Sequence, residues 1–160
     1  MKILIAIFAA ATIATSAAAQ TNINLGGISA DPSAAVEVAA DNLSVDQDTG
    51  TAVFSGNVVI GQGNLRLSAG TVRVVYAQAT GDIAQLIASG GVTFVTDTEA
   101  AEATDADYNL TTGKLVLSGN VLLTQGASAL SADKMSIDLI SGNAQMSGRV
   151  RTVFQQDGGN

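Results

Sequence analysis

Apolar and polar residues alternate along most of the chain after Asp41, as in Leu65-Arg66-Leu67, Val72-Arg73-Val74 and Met135-Ser136-Ile137-Asp138-Leu139. A period of two is the signature of a half-buried β-strand. Turn residues punctuate the pattern at Asp48-Thr49-Gly50, Gly61-Gln62-Gly63-Asn64, Ala69-Gly70, Thr80-Gly81-Asp82, Thr111-Thr112-Gly113, Gln125-Gly126 and Ser141-Gly142-Asn143. Gly, Asn and Asp are the residues that tight turns demand. The spacing predicts antiparallel strands of roughly five to nine residues joined as hairpins.

One phrase recurs. Phe54-Ser55-Gly56-Asn57-Val58 returns as Leu117-Ser118-Gly119-Asn120-Val121, and the Ser-Gly-x-Val core also stands at Ser89-Gly90-Gly91-Val92 and Ser147-Gly148-Arg149-Val150, at intervals of 34, 29 and 29 residues. A glycine inside a strand weakens packing and marks a bend or bulge, so each phrase is a predicted corner. A second phrase, Ala-Asp-x-apolar, shows at Ala40-Asp41-Asn42-Leu43 and Ala132-Asp133-Lys134-Met135, and more loosely at Ala69-Gly70-Thr71-Val72 and Ala106-Asp107-Tyr108. Regular intervals mean hairpins that bend at matching heights and stack, because an isolated hairpin is marginal in water and only its neighbours bury its apolar face. The expected fold is therefore all-β: antiparallel strands folded into an open, twisted two-sheet trough.

Following the alternation assigns Val36, Val38, Leu43, Val45, Phe54, Val58, Ile60, Leu65, Leu67, Val72, Val74 and Tyr76 to one face in the first half. Val92, Phe94, Tyr108, Leu110, Leu115, Leu117, Val121, Leu123, Leu130, Met135, Ile137 and Leu139 continue it in the second. With aromatics only 4% of the chain and no tryptophan, that lining is mostly branched aliphatic and resembles hydrocarbon. Such a stripe also fits the dry core of a β-helix or sandwich.

The amino terminus changes the compartment. Met1-Lys2, the uncharged apolar run Ile3 to Ala14, and Ser16-Ala17-Ala18-Ala19-Gln20 follow the layout of a secretory signal. The run is too short for a membrane span. A cut after Ala19 would leave 141 of the 160 residues. The expected organisation is a cleaved signal over 1–19, a flexible segment over 20–35, a β domain over 36–154 and a disordered tail over 155–160, in a soluble protein exported to the periplasm.

Losing Lys2 leaves six basic and fourteen acidic residues, a net charge of about −8 that argues against a nucleic-acid partner bound through phosphates. No cysteine is present to form a disulfide, and no histidine to serve as general base or metal ligand. Three stretches imitate chemistry. Ser131-Ala132-Asp133-Lys134 spells S-x-x-K, but that acyl-enzyme signature needs a helix, and here i and i+3 on a strand are expected on opposite faces. Asp46-Gln47-Asp48-Thr49-Gly50 starts like a calcium loop, yet the twelfth position is Asn57 instead of glutamate, so a hairpin turn is expected. Asp105 and Asp107 share a face, but the phase that points Tyr108 and Leu110 inward points both carboxylates at water. The acidic run Thr96 to Asp105 is expected to be a loop or a strand pair with a charged outer face. No catalytic residue, metal or cofactor is assigned, and the chain is not expected to be an enzyme.

Val36-Glu37-Val38-Ala39-Ala40-Asp41, then Ala52 to Ile60, then Leu65-Arg66-Leu67-Ser68-Ala69 resemble the start of the OstA-like family of periplasmic lipopolysaccharide-transport proteins. Tyr108-Asn109-Leu110, Gly113 to Val121 and Ser131 to Met135 resemble its second half, and the likeness runs from about Val36 to Phe154. The resemblance implies a non-catalytic carrier on a β-jellyroll trough that shields the lipid A acyl chains of lipopolysaccharide between the inner and outer membranes. Residues lining the lipid path in the family correspond to Val36, Val38, Phe94, Tyr108 and Leu110. Together with the alternation, this gives a candidate groove of Val36, Val38, Leu43, Phe54, Val58, Leu65, Leu67, Val74, Phe94, Tyr108, Leu110, Leu117, Val121 and Ile137. Family members also use basic residues near the groove, whereas Arg66 and Arg73 are expected here on the outer face.

A trough leaves its first and last strands unpaired, and exposed edges recruit further strands. The resemblance implies that Val36 and Val38 pair with an inner-membrane LptC-like component. Val150 and Val153 would pair with the periplasmic domain of an LptD-like outer-membrane barrel, or with another copy in head-to-tail self-association. Two other readings fit the residues: an exported structural or adhesive β-repeat protein with a closed core, and a β-helical enzyme acting on polysaccharide.

Overall fold

Alternating side chains and glycine turns give strands throughout the described residues. The computed structural model describes residues 33–153, Asp31 and the backbone of Thr21–Asn24, and among these residues there is no helix. The strands are β1 (Thr21–Asn24), β2 (Val36–Ala39), β3 (Asn42–Asp46), β4 (Thr51–Gln62), β5 (Leu65–Tyr76), β6 (Ile83–Ser89), β7 (Val92–Val95), β8 (Glu99–Ala103), β9 (Asp105–Asn109), β10 (Lys114–Gln125), β11 (Ser128–Asp138), β12 (Asn143–Ser147) and β13 (Arg151–Val153). The signal over 1–19, Phe154 and the tail over 155–160, all expected from the sequence, lie outside the described residues.

Every pairing is antiparallel, and the register divides the molecule into two layers. The first runs β3, β4 (51–55), β5 (71–76), β6, β9, β10 (114–118), β11 (134–138), β12, β1. The second runs β2, β4 (59–62), β5 (66–68), β7, β8, β10 (122–125), β11 (129–131), β13. Strands β4, β5, β10 and β11 thus belong to both layers, and the sheet is folded along a line that crosses each of them.

The Ser-Gly-x-Val phrases lie on that line. Ser55 pairs with Thr71 and Val58 with Ala69, so Gly56-Asn57 stands opposite Gly70 alone. Ser118 pairs with Lys134 and Val121 with Ala132, so Gly119-Asn120 stands opposite Asp133 alone. Two residues against one is a β-bulge, which bends its strand and sharpens the twist. Both bulge residues are left-handed, with φ of 78° and 46° at Gly56 and Asn57 and 80° and 49° at Gly119 and Asn120.

The two recurring phrases meet at this fold line. The amide of Asp41 donates to the Gly56 carbonyl at 2.9 Å, that of Asp133 to Gly148 at 2.8 Å, and that of Thr104 to Gly119 at 2.9 Å. Asn57 Nδ2 also donates to Asp41 Oδ2 at 2.8 Å, and Arg149 Nη2 to Asp133 Oδ1 at 2.5 Å. A Cβ at Gly56, Gly119 or Gly148 would sit 2.6, 2.5 and 2.5 Å from Asp41 Oδ2, Thr104 Oγ1 and Asp133 Oδ2. Glycine is required there by space as well as by φ.

Four sequence expectations are corrected. Ala69-Gly70 is not a turn but the middle of the 12-residue strand β5, where Gly70 lets the backbone approach Gly90; an added Cβ would stand 3.1 Å from the Gly90 carbonyl. Strands crossing the fold line therefore exceed the five to nine residues expected. Ala106-Asp107, read as a loose instance of the Ala-Asp phrase, does not hold the place that Asp41 and Asp133 hold, because Thr104 faces Gly119 and Asp107 points outward from β9. Finally, Thr21–Asn24, in a segment for which no strand was expected, forms β1 against β12.

Between the layers lies the core. Val72, Phe94, Leu115, Leu117, Leu123, Met135 and Ile137 have no exposed surface. Burying one such side chain contributes about 1.5–3 kcal/mol, and the stacked strands supply many in place of disulfides.

The inner face of the trough as candidate functional site

The inner face is the sum of every second residue on both layers. Of the groove positions expected from the sequence, Val58, Leu65, Leu67, Val74, Phe94, Tyr108, Leu117, Val121 and Ile137 are buried on it, and Val36, Val38, Phe54 and Leu110 are partly buried against it. Leu43 is 56% exposed. Its cross-strand partner is Phe54, and Val45 pairs with Ala52, so both share the inward phase at an end of the trough that no further strand among the described residues covers. The face is thus sealed in mid-trough and accessible at its N-terminal end. At the other end, Val150 and the β13 residue Val153 are exposed, and among the described residues β13 pairs with β11 alone.

Opposite the fold line, two rows of turns form the lips of a mouth. The first layer presents apolar side chains there, including partly buried Tyr76 and Leu110 and buried Leu139. The second presents polar ones: Gln62, Thr96 and Glu99 are 2%, 7% and 3% exposed. Buried polar groups require partners. Glu99 Oε2 accepts from Thr96 Oγ1 at 2.8 Å, and Glu99 Oε1 from Gln125 Nε2 at 2.9 Å. Tyr108, on β9 of the first layer, donates its hydroxyl to Gln62 Oε1 on β4 of the second at 3.0 Å. Gln62 Nε2 in turn donates to the Ala34 carbonyl at 3.2 Å. Burial pushes the Tyr108 phenol above its ordinary value.

Sequence reading missed this polar row. Alternation carried one step further along Val58-x-Ile60-x-Gln62, Val92-x-Phe94-x-Thr96 and Val121-x-Leu123-x-Gln125 would have found three of its members. Glu99 was expected on a charged outer face; β8 instead carries Glu99, Ala101 and Ala103 inward, and Ala100 and Glu102 outward.

The outer face matches the remaining positions. Arg66, Arg73, Asp105 and Asp107 are exposed, with Gln85 Nε2 donating to Asp107 Oδ1 at 2.7 Å. Asp46-Gln47-Asp48-Thr49-Gly50 is a turn: the Thr49 and Asp48 amides donate to Asp46 Oδ1 at 3.2 and 2.9 Å, and those bonds hold the carboxyl below its usual range. Among the described residues no group of three or more carboxylates could hold a metal. Ser131 and Lys134 both face outward, contrary to the simple alternation, because the fold line passes through Asp133 between them; they pair with Leu122 and Ser118 on different layers.

Residues 37–143 match the family described as LptA/(LptD N-terminal domain) LPS transport protein. The chain belongs to this LptA-like, OstA-type family. A Rhizobium meliloti (strain 1021) protein described as uncharacterized is 27% identical over 146 residues, covering 86% of this chain and 78% of that one. The crystal structure of LptH, the LptA-homologous periplasmic component of the lipopolysaccharide transport device of Pseudomonas aeruginosa, superposes with a TM-score of 0.71. It covers 79% of this chain and 99% of its own at 20% identity, and so shares the LptA-like β-jellyroll fold.

Proposed function

We propose that this LptA-like chain is a periplasmic carrier that covers the lipid A acyl chains of lipopolysaccharide on its inner face, as one segment of a path from inner to outer membrane. The observation that carries the reading is the apolar, mostly aliphatic face running from Val36, Val38 and Leu43 at the accessible end to Phe94, Leu117 and Ile137 in mid-trough, in a member of a lipopolysaccharide-transport family. Exposing a methylene costs about 0.8 kcal/mol, so an acyl chain of about a dozen carbons exposes roughly 10 kcal/mol of apolar surface. A lining without charges along its middle covers that surface and offers no single deep well to arrest the lipid.

The free strands suit a segment in a chain of partners. On this reading β2 receives a strand of an inner-membrane LptC-like component, and β13 adds to the periplasmic domain of an LptD-like barrel or to another copy. Nothing in the carrier role calls for catalysis or a cofactor.

The test places a photo-crosslinking residue at Tyr108, at Leu110 and at outward Asp107 in living cells. Lipopolysaccharide is expected on the first two and absent from the third. No capture at any position in a folded, exported protein would leave the sealed mid-trough as a closed structural core.

A further inference from the structure

We propose that the Tyr108–Gln62 hydrogen bond is a latch across the mouth of the trough, and that its rupture is the step that admits an acyl chain to mid-trough. The inference rests on the carrier reading above. Phe94, Leu115, Leu117 and Leu123 have no exposed surface, so a lipid chain cannot lie among them unless the lips part. Along the fold line the layers share backbone through β4, β5, β10 and β11. Among the described residues no strand crosses at the mouth, and side chains hold the lips together there.

Tyr108 and Gln62 are placed for this. The tyrosine rises from the apolar lip and reaches the polar one, where its hydroxyl donates to Gln62 Oε1 at 3.0 Å. The same amide holds the Ala34 carbonyl through Nε2 at 3.2 Å, and the Ala34 amide closes a turn onto the Asp31 carbonyl at 3.0 Å. One glutamine thus ties three pieces: the turn preceding β2, the polar lip and the opposite layer. A neutral hydrogen bond stabilises only modestly, because water offers both groups an alternative. Such a closure opens without unfolding the sheet.

The chain has no cysteine, which permits a direct test. A Gln62→Cys/Tyr108→Cys variant is bridged with a reducible bifunctional thiol reagent cut to the gap those side chains fill. Uptake of the apolar fluorophore N-phenyl-1-naphthylamine is then followed before and after reduction. The bridged form is expected to take up the probe at least ~10-fold more slowly than the reduced one. Tyr108→Phe, checked for an intact fold, is expected to take it up several-fold faster than wild type. Equal uptake by bridged and reduced forms overturns the latch and leaves the carrier reading standing. No uptake by any form, with no lipopolysaccharide captured at Leu110, removes the carrier reading and the latch with it.

Discussion

Gly119 and Gly126 separate two reasons a chain uses glycine. Both have positive φ, 80° and 57°, but a Cβ on Gly119 would stand 2.5 Å from Thr104 Oγ1 while one on Gly126 meets nothing within 4 Å. Gly126→Ala is expected to cost about 1 kcal/mol, the strain of a left-handed residue. Gly119→Ala adds a collision at the fold line and is expected to cost about 2–4 kcal/mol, read from urea unfolding of the two variants. Tyr108 supplies the other residue-scale test. Its folded pKa is raised by burial, so the folded state keeps the phenolic proton longer than the unfolded chain does. Its contribution is complete below the unfolded value of about 10 and is lost as pH rises from there through the raised folded value. Alkaline unfolding is expected to be steeper for wild type than for Tyr108→Phe. At this scale the glycines were legible because the phrase repeats, whereas their partners were not. Thr104 and Asp133 meet their glycines only through strand pairing, and no local rule selects Thr104 over Asp107.

At the scale of elements, alternation served well wherever a strand keeps one phase, and poorly where it changes company. β5 runs through Gly70 without stopping, and the close approach of Gly90 that explains the glycine comes from a different strand. β8 turns Glu99 inward because Thr96 and Gln125 stand ready to bond it, again a matter of neighbours. β1 was passed over because four residues, Thr-Asn-Ile-Asn, carry too little pattern to be read. The edge strand β2 gives the element-scale prediction. Among the described residues it pairs with β4 alone, which makes it an edge of the kind that recruits a further strand. Val38→Pro removes a backbone donor from that edge. On the carrier reading proposed above, it is expected to abolish capture of an LptC-like component in a pull-down while shifting the unfolding midpoint only slightly; undiminished capture would move the proposed junction elsewhere.

For the whole molecule, the sequence announced an apolar face and the bends that fold it over, because both are written with short periods. It did not announce that the face would be sealed in the middle and accessible at one end, since that depends on how far the second layer extends over the first. Leu43 and Val45 carry the same inward phase as Phe54 and Ala52 but lie beyond the cover. The folded sheet also restricts how the protein can move. Because β4, β5, β10 and β11 pass without interruption from one layer to the other, sliding one layer along its partner would tear ladders in both. Shear, one of the two common ways that packed layers rearrange, is closed to this architecture. What remains soft is a single angle, the dihedral between the layers about their line of bulges. Cargo of different girth would then be accommodated by the chain opening like a book along its spine, with every rung of the ladder kept.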